Sequence, residues 1–397
     1  MSSRAARGDG GRIEVVLATA ATVVGVAPVF FVTAQAVEIG KDLQVTAANL
    51  GVAVAVFFGV TALSTAALGR VVQRVGVHRG LMGAMTAAAL GLLCVAASHS
   101  SLELDGALMV AGLSNGAVHP TANGLLASRR GGLPGRAFGL KQAAPSAAGL
   151  LAGAAVPAIA LTAGWRWSFV VMCVPAIMLV LLERARVQNT DQGIQERPVH
   201  QFAPGDERAP LGLVALAAGL GSAAGNVLST FFVLFGVHAE HLSPATAAAV
   251  FSLASFSGVV GRMAAGRAMD RTRFSAISLA GLLVCVGALG DALLASGALG
   301  GILALLVPGL IAFGFGWSWP GLLHYCVAMR DPDHAPRSTG ILMTGFATGS
   351  CLGPLVLGQF TKIIGYVGLW HVAMLCNLLA GIILLLGTRV RNLAGSA

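Results

Sequence analysis

The sequence has 397 residues, of which 56% are hydrophobic and 10% are charged. A soluble globular chain carries about 25% charged residues, so this composition excludes an ordinary water-soluble protein. The formal net charge of +9 would indicate a nucleic-acid partner in a soluble protein. Here the basic residues flank long apolar segments, which is typical of a protein that faces anionic lipid, and we expect no nucleic-acid partner.

Apolar segments of membrane-spanning length recur along the whole chain. A helix of about 20 residues crosses the hydrocarbon layer, and a helix satisfies every backbone group in lipid. The segments are too long and continuous for barrel strands. We therefore predict an all-α membrane protein with twelve transmembrane helices in two six-helix bundles. The predicted spans are 13–36, 46–68, 80–98, 104–126, 137–161, 165–183, 211–236, 244–266, 275–296, 300–328, 338–361 and 366–388.

The first apolar segment follows a short polar stretch, Ser2 to Arg12, as a signal peptide would. It is longer than the apolar region of a typical signal peptide, so we interpret it as the first span. The six cysteines lie in apolar segments without paired spacing, which predicts neither a metal site nor disulfides, and we expect no cofactor.

The basic residues predict the orientation of the chain. Of 25 Lys and Arg, only Lys41, Arg166 and Lys362 fall in loops on one predicted side. The positive-inside rule then places both termini in the cytoplasm and the protein in the inner (plasma) membrane. The polar segment 184–210 is predicted to be a cytoplasmic linker between an N-terminal bundle, 1–183, and a C-terminal bundle, 211–397. We expect a monomer.

The two predicted halves share residues at an offset near 200. Small residues and prolines recur in the same places of the six-plus-six layout, which indicates a parallel internal duplication. The matching positions are Gly116, Pro120 and Arg130 with Gly316, Pro320 and Arg330; Gly149 and Gly153 with Gly349 and Gly353; and, at offset 197, Gly69 and Arg70 with Gly266 and Arg267.

Two loops carry a recognisable charged motif. The loop after the second span and the loop after the eighth resemble the G-x-L-x-D-R-x-G-R-R loop of the major facilitator superfamily, which joins neighbouring spans and latches the outward-facing state through charges at helix ends. Gln73 stands where the family has Asp, so the second copy, with Asp270, is expected to carry more of the gating. The gating candidates are Gly69, Arg70, Gln73, Arg74, Gly76, Arg79, Gly266, Arg267, Asp270 and Arg271.

Other segments extend the resemblance over the whole layout. Ala144-Pro145-Ser-Ala-Ala148-Gly149 is similar to the family's G-P-x-x-G-G antiporter motif, although ordinary helix packing explains it equally well. Gly112 stands where the family has a membrane arginine. The resemblance implies alternating access, with a cavity lined mainly by spans 1, 4, 7 and 10. Phe138 to Gln142 and Gly164 to Trp167 are similar to a bacterial, cyanate-transporter-like branch.

Polar residues inside predicted spans are candidates for solute contact, because burying them in lipid costs free energy. His119 is the leading candidate, since Asn115 and Asn123 lie four residues away on the same helical face; the alternative is a packing histidine. Lys141 either points into the cavity or reaches the surface. The candidates are Asn115, His119, Asn123, Lys141, Gln142, Asn226, Thr230, Trp317, Trp319, His324 and Tyr325.

Few acidic residues lie centrally in the predicted spans, which favours an anionic or neutral solute over a cation. The chain has no G-x-x-x-x-G-K-[ST] loop, so secondary transport of a small solute is the leading interpretation, with drug efflux as an alternative and an enzyme or passive channel as the rivals from other classes. His119, whose ordinary pKa is about 6.5, is a candidate for binding a coupling proton.

Overall fold

The computed structural model of the protein describes residues 2–127, 135–189, 210–271, 275–330 and 335–394. In these residues all regular secondary structure is helical, which confirms the predicted all-α class. Two π-helical turns, Val156–Ala160 and Ala312–Gly316, follow directly after the α-helices that end at Ala155 and Ile311. The helices are α1 (Ser2–Ala34), α2 (Ala36–Leu43), α3 (Ala47–Val75), α4 (Val77–Ala96), α5 (Ser101–Ala127), α6 (Gly135–Gln142), α7 (Ala144–Ala155), α8 (Trp165–Asn189), α9 (Leu211–His238), α10 (Pro244–Arg271), α11 (Ala276–Ser296), α12 (Ile302–Ile311), α13 (Pro320–Arg330) and α14 (Ala335–Ala394).

Ten helical segments of the described ranges are long and apolar enough to cross a membrane. One of them, Ser338–Gly387, has 50 residues and covers the predicted eleventh and twelfth spans. Gly365 interrupts its helical backbone with a φ of 65°, a conformation that glycine adopts without strain. The 27-residue helix α5 covers the predicted fourth span but is not among the ten, because its polar residues lower its hydropathy.

Two clusters of polar contacts lie at opposite ends of the N-terminal helices. At one end His78, next to the α3–α4 junction, pairs with Glu183 of α8 at 2.6 Å. At the other end Asp42 accepts hydrogen bonds from Trp165 Nε1 at 3.0 Å and from Arg166. These bonds hold the pKa of Asp42 below its ordinary value. We call the end that carries Glu183 the linker side.

Helix α8 continues past the predicted end of the sixth span. The structure describes it as helical to Asn189, whereas the predicted span stops at 183. Arg186 Nη1 lies 3.5 Å from Glu183 Oε1, one turn earlier. Charged residues can therefore extend a helix beyond the lipid when they pair along it. Residues 190–209 of the predicted linker lie outside the described part of the chain.

Glycines set close contacts between helices of the two predicted halves. A methyl group on Gly51 of α3 would overlap the carbonyl of Pro354 in α14. A Cβ on Gly153 of α7 would lie 2.6 Å from Ala248 O and 2.8 Å from Ser252 N in α10. Small residues let membrane helices approach until their backbones touch, so α3 with α14 and α7 with α10 are two of the helix pairs that meet between the predicted halves.

Candidate functional site

Asn115, His119 and Asn123 form a polar stripe along α5, and the two asparagines bind different neighbouring helices. Asn115 Nδ2 donates to Thr61 Oγ1 of α3 at 3.3 Å, and Asn123 Oδ1 accepts from Lys141 Nζ of α6 at 2.9 Å. His119, between them, is half-buried and makes no hydrogen bond within the described ranges. Solute contact by His119 stays a prediction.

Lys141 is buried, with 4% of its surface exposed. This excludes the alternative in which its side chain reaches the membrane surface. Its hydrogen-bond partner, Asn123, is an uncharged amide. His119 and His324 lie close enough for their charges to interact with that of Lys141. The three basic groups therefore come from three helices, α5, α6 and α13, and form one cluster.

Aromatic rings cover the neighbouring part of the C-terminal half. Trp317 and Trp319 have ring centroids 6.2 Å apart, and each lies 6.1 Å from Phe346. Built Cβ atoms on Gly221 and Gly225 of α9 would lie 2.8 Å from Trp319 and 2.7 Å from Trp317. Both indole N–H groups are buried without a hydrogen-bond partner among the described residues. We call the rings of Trp317, Trp319 and Phe346 the aromatic wall. The aromatic wall is tightly packed against α9, and its two indole N–H groups have no acceptor among the described residues.

His324 and Tyr325 differ in their surroundings. His324 Nδ1 lies 2.7 Å from Pro320 O, and its Nε2 lies 2.9 Å from Met343 Sδ. Its ring also contacts Phe346 edge-on at 6.2 Å. Tyr325 instead lines a small cavity with Gln142. His324 is therefore held by contacts with α13 and α14, whereas Tyr325 lines cavity A, which is described below.

Arg262 of α10 is a site residue that the sequence interpretation missed. Its side chain is 4% exposed, and its guanidinium carbon lies 5.2 Å from the centroid of the Trp317 ring. Nε donates to Trp317 O at 2.7 Å, and Nη1 donates to Gln142 O at 2.6 Å. The sequence held the signal, because Arg262 lies inside the predicted eighth span, where any charged residue is a functional candidate.

The two carbonyls bound by Arg262 lie where helices are interrupted. Gln142 is the last residue of α6, and Trp317 follows the π-helical turn before α13 begins. Carbonyls at such positions lack a donor from their own helix, so an outside donor must satisfy them. Arg262 of α10 therefore joins the end of α6, in the N-terminal predicted half, to the junction before α13, in the C-terminal predicted half.

Two small cavities, each of about 10 Å³, lie between the predicted halves. This is about the room of one water molecule. Cavity A is lined by Gly139, Gln142, Arg262, Ala265, Gly266, Met269, Ser318, Gly321, Leu322 and Tyr325. Cavity B is lined by Val29, Phe30, Thr33, Val54, Phe58, Asn226, Ser229 and Thr230.

The two polar residues predicted in the seventh span both line cavity B. Asn226 Nδ2 donates to Ser350 Oγ at 3.0 Å, and Thr230 Oγ1 donates to Asn226 O at 2.6 Å. They therefore share a surface, as their four-residue spacing predicts. Four of the eight residues that line cavity B are apolar, four are polar, and none is ionisable.

The comparison with protein families supports the architecture. The sequence profile described as Major Facilitator Superfamily matches residues 16–354, which is most of the chain. The chain belongs to the major facilitator superfamily. It is therefore a membrane transporter of that superfamily, and its context is a small-molecule solute and a lipid bilayer. No curated protein matches the chain.

The superfamily loop after α3 is exposed in its charged positions. Arg70, Gln73, Arg74 and Arg79 lie at the surface and make no ion pair within the described residues. Gly76 joins α3 to α4 with a φ of 88°. His78, which was not among the predicted gating residues, makes the ion pair with Glu183. The charge latch expected of this loop stays a prediction.

The second copy of the loop begins at a close helix contact. A Cβ on Gly139 of α6 would lie 3.1 Å from the Cα of Gly266 in α10, so the two backbones touch on the linker side. Arg267 is exposed. The side chains of Asp270 and Arg271 lie outside the described residues. Gly69 of the first copy faces Pro120 of α5, with 3.7 Å from a built Cβ to Pro120 Cβ.

The repeated glycine pairs face different partners, although the superfamily layout makes them equivalent in sequence. Gly149 and Gly153 in α7 pack against Ser255 and Ser252 of α10, in the other predicted half. Gly349 and Gly353 in α14 pack against α9, in the same half. Only the first pair therefore lies at a contact between the halves.

Proposed function

We propose that the protein is a secondary active transporter that moves a small anionic or neutral solute by alternating access. Its architecture would be twelve spans in two bundles, 1–183 and 211–397, in the plasma membrane with both termini cytoplasmic. The ten membrane-length segments, the additional helix α5 and the interruption of Ser338–Gly387 at Gly365 support this count. The superfamily match supports the transport function.

The observation that carries the choice of solute is a pair of buried cations without carboxylate partners. Lys141 and Arg262 are each 4% exposed. No ion pair of the described residues includes either of them. Their acceptors among the described residues are amide and carbonyl oxygens. A buried charge without a counter-charge is costly, so an anionic group from the solute is the partner that would compensate it.

Cavity A lies where such a solute would meet Arg262. Arg262 lines this cavity together with three polar residues, Gln142, Ser318 and Tyr325. A neutral solute would use the same polar groups without the charge. Because a cavity of about 10 Å³ holds about one water molecule, binding of a larger solute requires α6, α10 and α13 to separate.

Counterflow in proteoliposomes tests the proposal. Liposomes containing the purified protein would be loaded with one unlabelled solute, and entry of its labelled form would be measured over a panel of small carboxylates, cyanate, neutral solutes, organic cations and aromatic antibiotics. A carrier exchanges labelled for unlabelled solute, whereas a passive channel does not concentrate the label. We expect exchange with a small anion or a neutral solute of similar size.

Lys141→Gln provides the matched perturbation, and Lys362→Gln its control, because Lys362 is exposed. For an anion, loss of the buried charge should raise the half-saturating concentration about tenfold or more, which corresponds to ~1.4 kcal/mol. Lys362→Gln should transport like the wild type. Transport restricted to organic cations, and unaffected by Lys141→Gln, would refute the choice of solute. Exchange of aromatic antibiotics alone would favour the efflux alternative.

A further inference from the structure

A buried acid–amide pair lies between α11 and α14, away from both cavities. Asp291 is 1% exposed and Asn377 is 5% exposed. Asn377 Nδ2 donates to Asp291 Oδ2 at 2.7 Å. The remaining oxygens of the pair, Asp291 Oδ1 and Asn377 Oδ1, are also buried, and neither has a hydrogen-bond partner among the described residues.

If Asp291 is ionised, both of these oxygens stay without a hydrogen-bond donor among the described residues. A carboxylate accepts hydrogen bonds but donates none, and the amide oxygen likewise only accepts. The same hydrogen-bonded pair therefore keeps two buried acceptors without a donor, and unpaired polar groups are costly in a protein interior. Turning the amide over exchanges its two ends but supplies no donor for its oxygen. A single proton on Asp291 Oδ1 would satisfy both acceptors at once.

We propose that Asp291 and Asn377 form a proton-binding site. The carboxylate takes one proton from a hydronium ion, an O–H bond forms at Oδ1, and a water molecule is released. The new hydroxyl donates to Asn377 Oδ1 while Asn377 Nδ2 continues to donate to Oδ2. The two side chains then form a closed ring with two hydrogen bonds and no net charge.

The described residues around Asp291 offer it no ion-pair partner that would hold its carboxylate in the ionised form. Neither α12 nor the π-helical turn after it contains a titratable residue. The titratable residues described on the other packed elements are Cys285 on α11, His324, Tyr325 and Cys326 on α13, and Cys351, Lys362, Tyr366, His371 and Cys376 on α14. Of these, Cys376 interacts electrostatically with Asp291.

The Asp291–Asn377 site lies next to the contact between α11 and the π-helical turn Ala312–Gly316, which precedes Trp317. A Cβ on Gly290, the residue before Asp291, would lie 2.6 Å from Ala312 N in the π-helical turn. Gly287, one turn earlier, packs against the backbone of Gly316, which precedes Trp317. A charge that appears at Asp291 would therefore arise one residue from the contact between α11 and this turn.

Infrared spectroscopy of the purified protein in lipid measures the proton directly. At neutral pH the wild type should show the C=O stretching band of a buried, protonated carboxylic acid, and Asp291→Asn should lack that band. Asn377→Leu should shift the band to higher frequency, because the acid loses its hydrogen-bond partner. Glu240→Gln, which changes an acid outside the spans, should leave it unchanged.

Thermal unfolding at a series of pH values provides a second measurement that does not depend on transport. Raising the pH should remove the proton and lower the unfolding temperature of the wild type, whereas Asp291→Asn, which supplies a permanent donor, should remove this part of the pH dependence. A neutral-pH spectrum without an Asp291-dependent acid band would overturn the proposal. So would a band that Asn377→Leu does not move.

Discussion

Arg262→Gln is the substitution that best tests the bridge on the linker side. In the wild type the guanidinium donates to Gln142 O at 2.6 Å and to Trp317 O at 2.7 Å. Only the bond to Gln142 crosses between the predicted halves. A hydrogen bond from a charged group contributes about 1.5–3 kcal/mol. We therefore expect the substitution to shift the balance towards separated halves by roughly 10-fold to 150-fold, since ~1.4 kcal/mol corresponds to a factor of ten.

The separation can be measured by labelling a cysteine in cavity A. Met269 lines this cavity and is half-buried, so Met269→Cys, in a protein whose six native cysteines are replaced, reports access from the linker side. The labelling rate with a water-soluble maleimide should be slow in the parent protein. It should rise at least tenfold when Arg262→Gln is added, because the closed arrangement loses its charged bond.

Lys362→Gln is the control. Lys362 is a basic residue on α14 that is exposed and is not among the gating candidates, so its loss should leave the labelling rate within about twofold of the parent, as expected for a surface substitution. An unchanged rate in Arg262→Gln would show that the bridge does not hold the halves together. An equal rise in both variants would show that net charge, rather than the bridge, controls access.

Three further substitutions test separate features. Gly51→Ala places a methyl group against the Pro354 carbonyl and should lower stability by about 1–3 kcal/mol, whereas Gly83→Ala meets no atom within 4 Å and should not; equal unfolding temperatures would contradict the close contact. Burial raises the pKa of Glu38, so the native state holds its proton more readily than the unfolded state, and stability falls as pH rises from the ordinary range through the raised pKa. Glu38→Gln should remove that fall in a pH series of thermal unfolding, and a persistent fall would refute the cause. His119→Gln should abolish the response of transport to an imposed pH gradient if His119 binds the coupling proton, and an unchanged response would exclude that role.

The helical class could be predicted because lipid imposes it locally. A backbone in hydrocarbon must satisfy its own hydrogen bonds, so an apolar run of sufficient length becomes a helix whatever its neighbours are. The same reasoning identified Lys141 and His119 as intramembrane polar residues. It did not identify the partner of Lys141, because Asn123 lies 18 residues away and on another helix.

Arg262 illustrates why part of the site needed the three-dimensional structure. Its presence inside a predicted span was visible in the sequence, but its acceptors, Gln142 O and Trp317 O, are backbone atoms separated from it by 120 and 55 residues. Backbone carbonyls carry no residue-type signature. Only the interruption of two helices, and their meeting beside α10, makes these two carbonyls available.

The sequence by itself determined that the chain is a helical membrane protein with polar groups at particular positions in its spans, since hydropathy and length act within each segment. Tertiary structure decided which groups meet: Lys141 with Asn123, Arg262 with two helix breaks, and Asp291 with Asn377. The physical reason is that a hydrogen bond depends on distance in space, and helices far apart in sequence are brought within that distance only by packing.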